Sequence, residues 1–168
     1  VGLLDAINQG TLADSNGRLF NSLLIQLYPE HIPPSSLFQY LKPAQHRAGM
    51  SLVPMFWGYY IQRQTPPGLL LDLMEAIERA HKDGLFSSES FRSVSHGLEG
   101  LTALIVDAVE QHGPRVSVEQ LALWLWLCTD RDASLYRHLE TSANERLHQW
   151  HKDHPEQIKQ VMLHLVEQ

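Results

Sequence analysis

The chain has 168 residues, 43% of them apolar, and a formal net charge of −6, which is the composition of an ordinary globular domain. Its 13 Lys and Arg against 19 Asp and Glu argue against a nucleic-acid or anionic-membrane partner, because phosphate contacts need clustered basic side chains. The single cysteine, Cys128, excludes an internal disulfide and fits a reducing, cytoplasmic compartment. No apolar run approaches the roughly 20 residues that span a bilayer, and no signal peptide is predicted.

A short apolar segment opens the chain. Leu3 to Ile7 predict a helix, and Gly10 suits the left-handed position that follows a helix end. Because this helical pattern is already under way near Val1, we expect the chain to be a fragment of a longer protein.

The stretch Asp14–Pro43 organises the chain, and its first half predicts an amphipathic helix. Apolar side chains recur there at offsets of three and four residues, which places them on one helix face. Pro29 ends the helix, because its ring clashes with the preceding turn. The predicted capping cluster is Asp14, Ser15 and Asn16, and the apolar stripe is Leu19, Phe20, Leu23, Leu24, Leu27 and Tyr28.

The second half of this stretch predicts a shorter helix after two prolines. We expect Ser35 or Ser36 to cap it and Pro43 to end it. Two short amphipathic helices cannot bury their apolar faces alone, so they must stack on neighbours, as in α-solenoids. The sequence therefore predicts an all-α, irregular helical repeat, HEAT/ARM-like, of about eight helices and without a sheet.

Further helices follow the same punctuation up to residue 112. We predict a helix opened by Ser51 with Pro54 in its first turn, whose aromatic residues around Trp57 form core rather than a ligand box. Leu69, Leu70, Leu73, Met74, Ile77 and Ala80 predict the buried face of a helix over 68–83, which ends at Gly84. A long helix from Ser87 or Ser88 to about His112 has a seam of Phe91, Val94, Leu98, Leu101, Ile105 and Ala108. Close approach of a neighbouring helix would offset the helix propensity lost at Gly97 and Gly100.

The last third predicts buried helices separated by polar breaks. Ser117 and Gln120 form a capping box for an apolar helix that ends near Cys128. Leu135, Tyr136 and Leu139 predict a short helix after the polar loop Asp130-Arg131-Asp132. Ser142 and Glu145 form a second capping box, and Pro155 begins a last helix that is still apolar at the end of the chain, so we expect a further element beyond it. We assign 1–168 to one domain, with proline-punctuated helix pairs over 1–84 and longer helices over 85–168.

No residue pattern in the chain predicts chemistry. His148 and His151 could share a metal ion, but a solvated helix face is the better interpretation because H-E-x-x-H is absent. An inert core thiol is favoured for Cys128. The histidines concentrated late in the chain are His138, His148, His151, His154 and His164, and the carboxylate pairs weighed as surface charge are Glu75 with Glu78 and Asp130 with Asp132. Asn16-Gly17 indicates a turn or helix start rather than a phosphate cradle, so we predict no catalytic, cofactor-binding or metal-ligating residue.

The Asp14–Pro43 segment resembles a known helical region. D-S-N-G-R-L-F-N-S-L-L-I-Q-L-Y-P-E-H-I-P-P-S-S-L-F-Q-Y-L-K-P is similar to the region downstream of the NTPase module in bacterial NACHT-type STAND NTPases. That region has an Asp-led helix ending in an aromatic-Pro-x-x-(Leu/Ile) step, and then a short E-L-F-x-x-L helix ending at Pro. The resemblance covers most of the chain, most closely Leu3 to Ile77, and extends to Met55–Trp57, Glu145–Leu147, Trp150 and His154–Glu156.

This resemblance implies a non-catalytic role. In the family the NTPase module hydrolyses ATP or GTP and drives oligomerisation, the helical repeats act as sensor or scaffold, and many members are thought to act in defence against phage. None of the nucleotide-binding motifs lies in this sequence, so no functional residue is carried over. We expect protein partners, either the NTPase module itself or a recognised protein. Two alternatives stay open: a stand-alone all-α adaptor or regulator, and a metal-dependent or thiol enzyme using the late histidines or Cys128.

Overall fold

The computed structural model describes residues 1–14, 16–40, 55–85, 99–129 and 141–167, which form nine α-helices and contain no strand. The predicted all-α fold is therefore confirmed over these residues, while its solenoid-like repeat arrangement stays a prediction. The helices are α1 (Gly2–Asn8), α2 (Arg18–Leu27), α3 (Pro34–Leu37), α4 (Ile61–Gln64), α5 (Leu70–Lys82), α6 (Glu99–His112), α7 (Val118–Thr129), α8 (Thr141–Asp153) and α9 (Pro155–Val166).

The chain forms two compact units, Val1–Leu101 and Thr102–Gln168. The sequence predicts one domain in which helix pairs give way to longer helices between residues 84 and 85. The boundary between the two units lies within α6, between residues 101 and 102. It therefore does not coincide with the predicted change from helix pairs to longer helices. The assignment of both units to one helical-repeat domain stays a prediction.

Helix α1 ends in the left-handed turn that the sequence predicts. Gly10 has a φ of 78°, and its amide donates to the carbonyl of Ile7 at 3.0 Å. The amide of Thr11 donates to the carbonyl of Ala6 at 2.9 Å, which completes a Schellman motif. Leu4 and Ile7 are buried, so the closing turn fixes a helix whose apolar face already packs in the core of its unit.

Side chains before helix α2 satisfy its first amides. The Asp14 carboxylate accepts a hydrogen bond from the Phe20 amide at 2.8 Å, and Asn16 Oδ1 accepts one from the Arg18 amide at 3.0 Å. Gly17 holds the N-cap position with a φ of 69°, which favours glycine. The predicted helix start at the Asn16-Gly17 dipeptide is therefore confirmed, with a negative side chain at the positive end of the helix dipole.

Helix α3 begins earlier than the predicted serine cap allows. Pro33 is its N-cap, with a φ of −69° and a ψ of 159°, and Pro34 holds the first helical position. Proline suits that position because the N–H that it lacks would have no intrahelical partner there. Ser35 and Ser36 therefore lie inside the first turn, and the prediction that one of them caps the helix is wrong.

The aromatic segment before α4 is core, as the sequence predicts. Phe56–Tyr60 winds as a π-helical turn, and the side chains of Phe56 and Trp57 are 0% exposed. The Trp57 ring centroid lies 5.3 Å from that of Phe56 and 5.5 Å from that of Phe38. Trp57 is therefore a core residue, whereas the nearby Tyr59 is 49% exposed.

Helix α5 shows the predicted buried face and the predicted end. A 3₁₀ turn, Pro67–Leu69, precedes it, so the α-helix begins at Leu70 rather than at Gly68. Gly84 follows with a φ of 73°. The buried residues of α5 are Leu70, Leu73, Met74, Ala76, Ile77 and Ala80, while the predicted Leu69 is half-buried.

Helix α6 is buried on more sides than the predicted seam. Its buried residues in the described part are Gly100, Leu101, Thr102, Ala103, Leu104, Ile105, Val106, Ala108 and Val109. Gly100 confirms the predicted close approach: a Cβ on it would lie 2.7 Å from the Trp57 carbonyl oxygen and 3.0 Å from the Gly58 carbonyl carbon. All three residues belong to the first unit. A side chain at position 100 would collide with backbone atoms, so close backbone packing requires glycine at that position.

Helix α7 starts at the predicted capping box. The Gln120 amide donates to Ser117 Oγ at 3.2 Å, and the Ser117 amide donates to Gln120 Oε1 at 3.4 Å. The predicted burial of α7 is confirmed at Leu121, Trp124, Leu125, Leu127 and Cys128, while Leu123 is half-buried and Trp126 is 39% exposed.

Helix α8 contradicts the second predicted capping box. It includes Thr141, so Ser142 lies inside the helix rather than at its N-cap. Leu147 and Trp150 are buried as expected. Helix α9 packs on α7, and Val161 is its one buried residue among those described.

Several predictions lie outside the described residues. They are the roles of Ser15, Pro43, Ser51, Pro54, Ser87, Ser88, Phe91, Val94, Gly97 and Leu98, the loop Asp130-Arg131-Asp132, the helix with Leu135, Tyr136 and Leu139, and His138.

Candidate functional site

The thiol of Cys128 is enclosed in the second unit. Its side chain is 0% exposed, and burial raises its pKa to about 12. A nucleophilic cysteine works as a thiolate and must meet its substrate. At neutral pH this thiol is protonated and out of reach of solvent, which is the environment of an inert core cysteine.

Ring contacts place three of the late histidines, His148, His151 and His154, along α8 and its end. The ring centroids of His148 and His151 lie 6.4 Å apart with their planes perpendicular, and His154 instead stacks on Trp150 at 4.5 Å. Burial, and then the neighbouring His148, lower the pKa of His151. His164 lies apart from them in sequence, on α9. Within the described ranges, no group of three or more His, Cys, Asp or Glu side chains is placed to hold a metal ion.

The predicted carboxylate pairs fall in different places. Glu75 is exposed and Glu78 half-buried on α5, while Asp130 and Asp132 lie outside the described residues. Asn16 and Gly17 belong to the helix start described above.

An ion-pair cluster that the sequence reasoning missed joins α6 to α8. Arg146 Nη2 lies 2.6 Å from Asp107 Oδ1 and also binds both carboxylate oxygens of Glu110 through its guanidinium. The hydrogen bonds that Arg146 donates to these carboxylates, with those to Glu110 contributing most, raise its pKa. Asp107 and Glu110 lie three residues apart on a mostly apolar helix. This spacing of two carboxylates could have indicated a shared basic partner. The cluster lies within the second unit and sets one positive charge against two negative ones.

An open cavity of about 480 Å³ lies between α3 and α5 in the first unit. Its floor includes the small side chains Ala76 and Ala80, and Arg79 and Asp83 stand one helical turn apart on its wall. The full lining is Ser35, Ser36, Phe38, Gln39, Ala76, Arg79, Ala80, Asp83 and Leu85. The volume suits a small ligand or one side chain of a peptide. Because Arg79 and Asp83 carry opposite charges, the lining does not favour a ligand of either charge.

Helix α9 carries the most exposed large apolar side chains among the described residues of the second unit. We call Met162, Leu163, Leu165 and Val166 the α9 apolar face; they are 64%, 55%, 54% and 85% exposed. At 100° per residue these four positions span about 160° of the helix surface. The sequence predicts an apolar stripe on α9, and the structure shows that most of it meets solvent.

The comparisons with known proteins give no relative. No protein-family model, no curated protein and no solved structure matches this chain. Of the helices in the described ranges, none is both long and apolar enough to cross a membrane.

Proposed function

We propose that this chain is a non-catalytic helical sensor or scaffold segment of a NACHT/STAND-type NTPase. It mediates protein–protein or intramolecular contacts in the bacterial cytoplasm, with a role in defence against phage. The observation that carries the contact role is the α9 apolar face, because monomeric proteins rarely leave several large neighbouring apolar side chains in water.

Two further observations support the proposal. The helix and proline pattern of Asp14–Pro43 supports the link to NACHT-type proteins. The burial of Cys128 supports a non-catalytic role, because it removes the one thiol of the chain from solvent.

Nucleotide turnover tests the non-catalytic part. The purified chain is incubated with ATP or GTP and Mg²⁺, and released phosphate is compared with a protein-free blank. We expect no release above the blank. Turnover that scales with protein concentration through repeated purification overturns the proposal.

The parent reading frame and a binding assay test the contact part. A phosphate loop upstream supports the NTPase assignment, and its absence favours the stand-alone adaptor. Where the NTPase module exists, we expect calorimetry to show that it binds the chain. Absence of binding contradicts the intramolecular contact.

A further inference from the structure

We infer that the α9 apolar face binds a second copy of this chain, with the two α9 helices antiparallel. The inference rests on the proposed contact role and names its partner. The exposed apolar arc is centred near Met162, which is 64% exposed. An apolar arc on a helix surface is complementary to an identical arc, because the same side chains can interdigitate across a two-fold axis.

Two charges on one side of Met162 select the antiparallel orientation. Relative to Met162, Lys159 lies about 60° around the helix, inside the arc between Val166 and Leu163, and Glu167 lies at about 140° on the same side, beyond the edge of the arc. In an antiparallel pair related by a two-fold axis, like flanks meet. When the axis passes near Met162, Lys159 of one copy lies within about 3 Å, measured along the helix axis, of Glu167 of the second copy. Two equivalent Lys–Glu pairs therefore close the arc on one side.

The parallel orientation lacks this complementarity. Parallel helices bring the flank that carries Lys159 against the opposite flank of the second copy. That flank holds Ile158, Leu165 and the buried Val161, so Lys159 would face no carboxylate. Charge matching sets orientation in paired helices more than it sets affinity, so it fixes the geometry of this contact.

The expected affinity is low. One pair of 12-residue helices buries less than the roughly 1,600 Å² of a standard interface, which places the contact among weak, concentration-dependent interfaces. We expect a dissociation constant on the order of 10–100 μM. Such a contact forms when copies of the chain are brought together at high local concentration.

Sedimentation equilibrium of the 168-residue chain tests the inference. The mass should rise from 19.2 kDa towards twice that value as concentration increases through the range of about 1–300 μM. Met162→Lys places two like charges at the centre of the contact and should weaken association at least about tenfold. Leu71→Lys, an exposed leucine of the first unit, should leave it unchanged, and circular dichroism should show equal helix content for all variants.

A charge exchange tests the antiparallel register. Lys159→Glu alone should weaken association about threefold or more, and Lys159→Glu combined with Glu167→Lys should restore it. A chain that stays monomeric throughout, association indifferent to Met162→Lys, or a double variant no better than the single one overturns the inference. None of these results bears on nucleotide turnover, and a strictly monomeric chain can still bind the NTPase module. Failure of the second-copy contact would therefore leave the proposed function intact, and failure of the proposed function would be detected in its own assays.

Discussion

Replacement of Gly100 by alanine isolates the cost of one close backbone contact. An added Cβ would lie 2.7 Å from the Trp57 carbonyl oxygen and 3.0 Å from both carbonyl atoms of Gly58. Ordinary C···O contacts are about 3.3–3.6 Å, so the overlap with Trp57 is about 0.6–0.9 Å. The obstructing atoms are backbone, so no rotamer change relieves them and the helices must separate.

The expected loss follows from two opposing effects. Overpacking of this kind costs about 1–3 kcal/mol, while alanine restores about 1 kcal/mol of helix propensity. Because the clash is with backbone atoms, we place overpacking in the upper part of its range and expect Gly100→Ala to lower the free energy of unfolding by about 1–2 kcal/mol. Urea unfolding followed by circular dichroism measures it.

Gly68→Ala is the matched control for this substitution. No atom lies within 4 Å of a Cβ at Gly68, and its φ is not positive. We expect a change between zero and about 1 kcal/mol of stabilisation, from the reduced entropy of the unfolded chain. A Gly100→Ala variant as stable as the parent chain, or an equal loss in Gly68→Ala, would refute the contact as the reason for glycine.

Three further predictions concern the second unit. Cys128 should react with a thiol reagent at pH 8 only after unfolding in urea, since its thiol is buried with a pKa near 12; rapid reaction of the folded chain would contradict this. Arg146→Gln should destabilise the chain by about 1 kcal/mol in urea unfolding, a small value because the guanidinium is 39% exposed. Arg146→Lys should lose less stability, since it keeps a positive charge near Glu110. Equal losses in the two variants would mean that the charge does not contribute. The pKa of His151 is lowered on folding, so the unfolded chain binds the proton more readily and the stability of the folded chain should fall as pH drops below about 6.5. In thermal melts, His151→Gln should make the melting temperature depend less on pH in this range. An unchanged pH dependence would show that His151 is not its cause.

Sequence reasoning succeeded where a structural feature depends on a few neighbouring residues. The left-handed end at Gly10, the Asp14 cap and the Ser117–Gln120 box all follow from local backbone chemistry and are present as predicted. The two wrong caps share one cause. Ser35 and Ser142 are good N-cap residues, but each helix already includes an earlier residue, so neither serine is at the end.

The missed features are those that join distant residues. Arg146 reaches carboxylates 36 and 39 positions earlier, and nothing in the residues around Arg146 indicates that pairing. The burial of α6 beyond its predicted seam has the same origin, because a helix pattern reports which side chains are apolar and not how many neighbouring elements cover the helix.

Helices α5 and α9 show how burial separates two helices of similar pattern. Both have apolar residues at helical spacing, yet α5 buries six residues whereas α9, as far as the structure describes it, buries Val161 alone. Apolar side chains in water cost about 25 cal/mol for each Å² that could be buried, so selection for stability alone would favour polar residues on the outer side of α9. The exposed residues Met162, Leu163, Leu165 and Val166 are therefore the part of α9 on which the proposed contact rests.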